Sequence, residues 1–226
     1  MPTVTAHAVG TFNWPELATS DPIAAKKFYT ALFGWDYTDN DMGPQGVYTI
    51  FKRDGEDVAA VYQMDAGQAS TGVPPYWGTY IAVESADAAA AKAKSLGGTI
   101  LMEPFDVMEH GRMAVIKDPT GAIFAVWQAK NHPGAGVKDE PGSMSGCELM
   151  TRDSKVAGKV YSASFGWALK DMPMPNFALP FTFSGMSRRG VQRPTTRYSA
   201  GFLSVIFLRS SSLNVFVIGT RLTISP

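Results

Sequence analysis

Trp14-Pro15-Glu16-Leu17-Ala18-Thr19-Ser20-Asp21, running on to Phe33-Gly34-Trp35, decides the reading of this chain. Phe12, Trp14, Glu16 and Ala18 alternate with Asn13, Pro15 and Leu17, which is the period of a strand. Asp21 can accept from the free N–H groups of a helix start, and Pro22 suits the first helical position. Ala24, Phe28, Ala31 and Leu32 recur at three- and four-residue steps and predict an apolar helix face. Gly34 supplies a left-handed residue to end the helix, and Trp35 opens the next extended segment.

The stretch returns. Residues 10–42 laid over 142–174 without a gap agree at 14 of 33 positions. The matches include Glu16/Glu148, Leu17/Leu149, Thr19/Thr151, Asp21/Asp153, Lys27/Lys159 and Tyr29/Tyr161, and Phe33-Gly34-Trp35 recurs as Phe165-Gly166-Trp167. This reads as duplicated structure. A fainter copy runs from Trp77 to Gly97-Gly98, with a strand Thr79–Val83 and an alanine-rich helix Ala86–Leu96. The first 130 residues therefore read as two β-α-β-β-β halves, about 10–64 and 76–128. Arg53-Asp54-Gly55-Glu56 and Asp118-Pro119-Thr120-Gly121 supply the hairpin turns.

Glu-Leu-x-Thr-x-Asp, Phe-Tyr-x-x-Leu-Phe-Gly-Trp, the Gly97-Gly98 pair and Gly111-Arg112 followed by Asp118-Pro119-Thr120-Gly121-Ala122 together resemble the vicinal oxygen chelate superfamily. It includes glyoxalase I, extradiol dioxygenases and bleomycin-resistance proteins. The resemblance is strongest to the tandem-domain glyoxalase/bleomycin resistance protein/dioxygenase group. It covers residues 8–130 well and 142–183 in part. It implies an α+β fold of paired βαβββ modules.

Bulk properties narrow the function. Formal net charge is zero, which gives no sign of a nucleic-acid or membrane-surface partner. No run of eighteen apolar residues suggests a membrane span. The N-terminus lacks a basic head and apolar run, so no signal peptide is expected. The single cysteine, Cys147, fits a reducing, cytoplasmic setting, where it reads as a small buried residue.

Members of the resembled family that use a divalent metal hold it in the cleft between the halves. The resemblance puts their ligand positions at Trp14, Gly78, Ala125 and Ala60 or a neighbour, with Gly146 opposite Trp14 in the second copy. None carries a donor atom. No metal site and no cofactor are therefore expected. His7, His110 and His132 fall in a tail, a turn and a linker, where they read as solvated.

Aromatic residues fill the cleft instead. Phe12, Trp14, Tyr62, Tyr80 and Trp127 are expected on inward strand positions, with Tyr48 and Trp77 at the rim. Such walls with a few convergent polar groups hold small flat ligands, although the same rings can simply pack a core. Glu16 shares a face with Trp14, and Arg112 is expected to begin a strand nearby. An inward carboxylate must be paired or face a wet cavity. Glu16 is thus a structural partner of Arg112 or of a backbone donor, a polar anchor for a ligand, or the candidate catalytic base.

The expected organisation is a complete domain at 8–130, a linker at 131–141, the first half of a second domain at 142–186 and an unrelated tail at 187–226. All 20 acidic residues lie at or before Asp171, while the later basic residues are arginines alone. We expect the chain to leave its ancestral reading frame from about Ser187, and the incomplete second domain to favour self-association. The leading functional expectation is a metal-independent binder of a small, aromatic molecule. The alternatives are a glyoxalase-like lyase or a dioxygenase- or hydroxylase-like enzyme, and an inactive remnant.

Overall fold

A computed structural model describes residues 3–70, 72–169, 203–209, 214–218 and 221–224. The first half consists of β1 (Phe12–Thr19), α1 (Pro22–Phe33), β2 (Asp36–Asp41), β3 (Val47–Arg53) and β4 (Glu56–Gln63). A short helix, α2 (Ala66–Ser70), precedes the second half: β5 (Tyr76–Ala82), α3 (Ala86–Ser95), β6 (Thr99–Val107), β7 (Gly111–Lys117) and β8 (Ile123–Ala129). The eight strands form one sheet in the order β2-β3-β4-β1-β5-β8-β7-β6. β1 pairs parallel with β4 and β5 pairs parallel with β8, and the two halves join where β1 meets β5 antiparallel. This is the expected α+β arrangement of βαβββ modules.

Local chemistry sets the helix ends. Asp21 accepts from the Ala24 N–H at 2.9 Å, and Gly34 closes α1 in the left-handed region at φ 68°. The repeat does the same. Asp153 accepts from the Val156 N–H at 2.9 Å, and Gly166, at φ 70°, closes α4 (Ser154–Phe165). The buried stripe of α1 differs from the expected one. Tyr29 is buried and Ala25, Leu32 and Phe33 pack with it, while Phe28 is 40% exposed and Ala24 and Ala31 lie outside. Both stripes repeat at helical spacing, so period alone does not choose between them. The choice follows the sheet, where the Tyr29 hydroxyl accepts from Trp77 Nε1 at 2.9 Å.

Two cores form under the helices. Leu17, Tyr29, Trp35, Phe51, Val58 and Trp77 make one; Ile81, Ala86, Ala90, Ile116, Phe124 and Val126 make the other. Burying each large apolar side chain contributes about 1.5–3 kcal/mol. An irregularity between Phe12 and Trp14 breaks the strand alternation and turns Phe12 into these cores, 5.4 Å from the Trp167 ring. Phe12 is therefore not on the cleft face.

Residues beyond 130 join the same cores. Val137, Met144 and Cys147 pack with Leu17 and Trp35, and Ala157 and Tyr161 pack with Phe124. The Tyr161 hydroxyl donates to the buried Asp118 carboxylate at 3.1 Å. The Asp118 Oδ1 also accepts from Thr120 and Ala122 N–H groups, tying the β7–β8 turn together. Residues 134–137 are buried rather than a solvated connection, with the Ala135 N–H bound to the Asn13 carbonyl. Burial also raises the Cys147 thiol well above its usual range, consistent with an inert core residue.

A second sheet, in the order β12-β11-β10-β9, contains β9 (Ser143–Met150), β10 (Leu203–Arg209), β11 (Asn214–Ile218) and β12 (Arg221–Ile224). The point at which we expect the reading frame to change, near Ser187, lies outside the described residues. Among the described residues, no helix is long and apolar enough to cross a membrane.

A chain shortened to end at Lys130 keeps every strand of the large sheet but loses Val137, Met144, Cys147, Ala157 and Tyr161 from its cores. We expect it to fold cooperatively and to unfold at a lower urea midpoint than a chain ending at Leu169. Equal midpoints in circular dichroism melts would show that residues 131–169 contribute nothing to stability.

Candidate ligand-binding site

Strand alternation builds the face opposite the helices. On β1 the odd residue Leu17 enters the helix-side core, so the even residues Trp14 and Glu16 face the other way. Glu16 lies opposite Ala60 on β4 and Gly78 on β5. Ala18 lies opposite Tyr62 and Tyr76. The residues nearest the Glu16 side chain are thus the smallest available, and a tyrosine stands on each side one step along.

The Glu16 carboxylate is bridged by two phenols. The Tyr80 hydroxyl donates to Oε1 at 2.6 Å and the Tyr48 hydroxyl to Oε2 at 3.0 Å. Trp14 Nε1 donates to the Tyr48 oxygen at 3.2 Å, extending the chain of donors. Tyr48 and Tyr62 stack across the strands with centroids 6.4 Å apart. Tyr62 and Tyr76 are hydrogen-bonded, and Gln68 donates to Tyr76 at 3.3 Å.

Burial raises the pKa of Glu16, and the two phenol hydrogen bonds oppose the shift without removing it. Glu16 as a whole residue is half-buried, while its carboxyl is surrounded by dense protein. Tyr48 and Tyr80 are pushed far up by burial and then by the Glu16 charge, which keeps both as donors. Among the described residues, no ion pair involves Glu16.

The other expected site residues divide. Tyr48, Tyr62, Tyr80, Trp14 and Trp127 share this face. Trp14 and Trp127 are 4% and 6% exposed, so they form its packed floor rather than an open platform. Gly111 makes room for the Trp127 ring, since a Cβ there would lie 2.3 Å from it. Arg112 is elsewhere. The odd residues Met113 and Val115 of β7 take this face, leaving Arg112 on the α3 side, bound to Asp87 at 2.7 and 2.9 Å. The expected Glu16–Arg112 pair is therefore replaced by the two tyrosine hydroxyls. Trp77 is also elsewhere, 2% exposed and bound to Tyr29, because odd positions of β5 face the helices.

Two residues were missed. Tyr76 has the parity of Tyr80, a signal that the adjacent Trp77 obscured. His132, expected to be solvated, packs edge-on to Trp14 at a centroid distance of 4.6 Å, and burial pushes its pKa down. His7 is likewise half-buried, 3.0 Å from the Ala135 carbonyl. These contacts depend on residues 132–135 crossing back over β1, and nothing in the local sequence encodes that path.

The donor set does not fit the metal centre implied by the resemblance. Trp14, Ala60 and Ala125 cluster on this face, with Gly78 beside Glu16, and their side chains bring no oxygen or imidazole ligand. Among the described residues, no three His, Cys, Asp or Glu side chains converge as a metal site.

A family model described as the Glyoxalase/Bleomycin resistance protein/Dioxygenase superfamily matches residues 11–126. "Putative glyoxylase CFP32" of Mycobacterium tuberculosis (strain CDC 1551 / Oshkosh) is 46% identical over 167 residues, 74% of this chain and 64% of that protein. "Anthracycline biosynthesis protein DauV" of Streptomyces sp. (strain C5) is 40% identical over 178 residues, covering 74% and 65% respectively. The chain thus spans less than two thirds of the length of these relatives. The Mn(II)-bound glyoxalase from Novosphingobium aromaticivorans aligns with a TM-score of 0.54 at 16% identity, over 96% of this chain and 64% of that one. Homoprotocatechuate 2,3-dioxygenase from Brevibacterium fuscum aligns at 0.51 and 16% identity, over 74% and 54%. At such identities the likeness is one of fold. With the βαβββ architecture and the match across both halves of the sheet, the chain belongs to the glyoxalase/bleomycin resistance protein/dioxygenase superfamily.

Proposed function

We propose that this chain binds a small, flat molecule on the tyrosine-lined face, with Glu16 as the polar anchor and without a metal ion. The observation that carries this reading is the Glu16 carboxylate, which is held by Tyr48 and Tyr80 with no cation beside it among the described residues. Two phenols fix the orientation of the carboxylate and leave each oxygen further acceptor capacity. Tyr62 and Tyr76 are less buried than the Trp14 floor and are available to a ligand's flat surface. The names of the two relatives, a glyoxylase and an anthracycline biosynthesis protein, are in keeping with small-molecule chemistry.

The raised pKa of Glu16 favours a second reading, in which the chain is an enzyme of the family. There Glu16 would take a proton from the bound molecule, with Tyr48 and Tyr80 holding it in place. Both readings leave the tandem arrangement of a complete domain and a second unit as part of the proposal.

Two measurements bear on these readings. Elemental analysis of purified protein is expected to find no stoichiometric divalent metal; about one equivalent per chain, lost with the fold, would overturn metal independence. Titration with small aromatic compounds is expected to quench tryptophan fluorescence saturably, and to do so more weakly after Glu16→Gln. A complete lack of saturable binding would overturn the binding reading.

The sign of the Glu16 shift predicts a stability trend. A folded-state pKa above the unfolded value means that the folded protein binds the proton more tightly, so this contribution is fully present below the unfolded pKa and fades as pH rises through the folded one. The unfolding free energy of the parent relative to Glu16→Gln should therefore increase as pH falls from neutrality toward the ordinary carboxyl range. A flat difference would show an unshifted Glu16 and one that shrinks on acidification a lowered pKa; either result overturns the raised one.

A further inference from the structure

The molecule that fits beside Glu16 is constrained by charge as well as by shape. This step rests on the binding reading above and concerns the same face. Four phenols stand around one carboxylate: Tyr48 and Tyr80 in direct hydrogen bonds, and Tyr62 and Tyr76, whose pKa values are raised first by burial and further by the Glu16 charge. Asp65 adds a second negative charge that acts on Tyr76. Basic side chains on β7, β3 and α1 are engaged by other carboxylates. Arg112 binds Asp87, Lys52 binds Asp57 and Lys26 binds Asp39. The phenol hydrogen bonds solvate the Glu16 charge but do not neutralise it.

There is room beside that charge. The nearest atoms to a Cβ placed on Gly78 would be the Glu16 carbonyl oxygen at 3.7 Å, Glu16 Cγ at 3.8 Å and Tyr76 Cε2 at 3.8 Å, ordinary contacts, so a methyl-sized group fits there without displacing them. Gly78 is partly exposed, so the gap opens toward solvent. A group entering over Gly78 would have the carboxylate on one side and tyrosine rings around it.

We propose that the group bound over Gly78 is an organic ammonium, carried on a small apolar body and held by Glu16 and the faces of the surrounding tyrosines. A cation is drawn both to the carboxylate and to the negative faces of the rings. An anion meets repulsion from both. A neutral group gains only hydrogen bonding. The same arrangement explains why Glu16 is half-buried without a partner cation among the described residues, since the ligand supplies one.

The test uses three probes of similar size on the full chain: benzyltrimethylammonium, benzyl alcohol and benzoate. Isothermal calorimetry is expected to give the cation about tenfold or more tighter binding than the alcohol, with benzoate the weakest. Glu16→Gln should reduce the preference for the cation over the alcohol to within about threefold, by weakening the cation far more than the alcohol. In the parent, lowering the pH through the Glu16 transition should erase the preference in the same way. Gly78→Leu fills the gap without touching the phenol hydrogen bonds, and should weaken the cation while preserving the circular dichroism spectrum. Alcohol and cation binding equally well to the parent, or a preference that survives both Glu16→Gln and acidification, removes this inference and leaves the binding reading standing. Binding of none of the three removes both. If Glu16→Gln fails to fold, the pH series and Gly78→Leu decide the matter.

Discussion

The antiparallel pairing of β1 with β5 is the constraint on which the rest of the structure depends. It joins two βαβββ halves into one eight-stranded sheet and places the strand alternation of both halves in a shared register. From that register Leu17 and Trp77 go to the helix side, while Glu16, Gly78 and Tyr80 go to the opposite side. A one-residue slip would exchange the faces, burying the Glu16 carboxylate under α1 and exposing an indole. Register is strongly specified where one face is an apolar core.

The same strand–helix unit is used twice for different ends. In the first copy Tyr29 lies under α1 and accepts a hydrogen bond from Trp77. In the second, Tyr161 lies under α4 and donates to Asp118, which organises the β7–β8 turn. Caps, left-handed glycines and buried tyrosines are retained, and the partners differ. The second copy thereby seals the helix side of the sheet through Ala157, Tyr161 and Trp167. The opposite face is left to the tyrosines.

On that face a few small side chains stand where the resemblance puts metal ligands. Ala60 and Gly78 flank Glu16, and Ala125 lies beside Tyr80. Their effect is to remove donors and to leave space around a carboxylate that phenols hold in place. A carboxylate in that setting gains more from a complementary charge than it would in water, because the surrounding protein screens less. On the proposed binding reading, recognition on this face would rest on charge and ring surface rather than on coordination.

The sequence by itself determined the modules. Helix caps at Asp21 and Asp153, glycine stops at Gly34 and Gly166, and the Asp-Gly and Asp-Pro turns are signals within a few residues, and each is realised. It also placed Trp14, Glu16, Tyr48, Tyr62, Tyr80 and Trp127 on one surface, because alternation carries along a strand. Only the tertiary structure decided what depends on segments meeting from far along the chain. Arg112 and Trp77 sit one residue out of phase with the cleft, and Phe12 is displaced by an irregularity that no local pattern announces. The helix stripe bearing Tyr29 rather than Phe28 was chosen by the sheet beneath it. His132 reaches Trp14 only because the chain after β8 folds back over β1. Period-two and helical patterns fix which residues share a face; which face meets which partner is set by packing between segments that the sequence keeps apart.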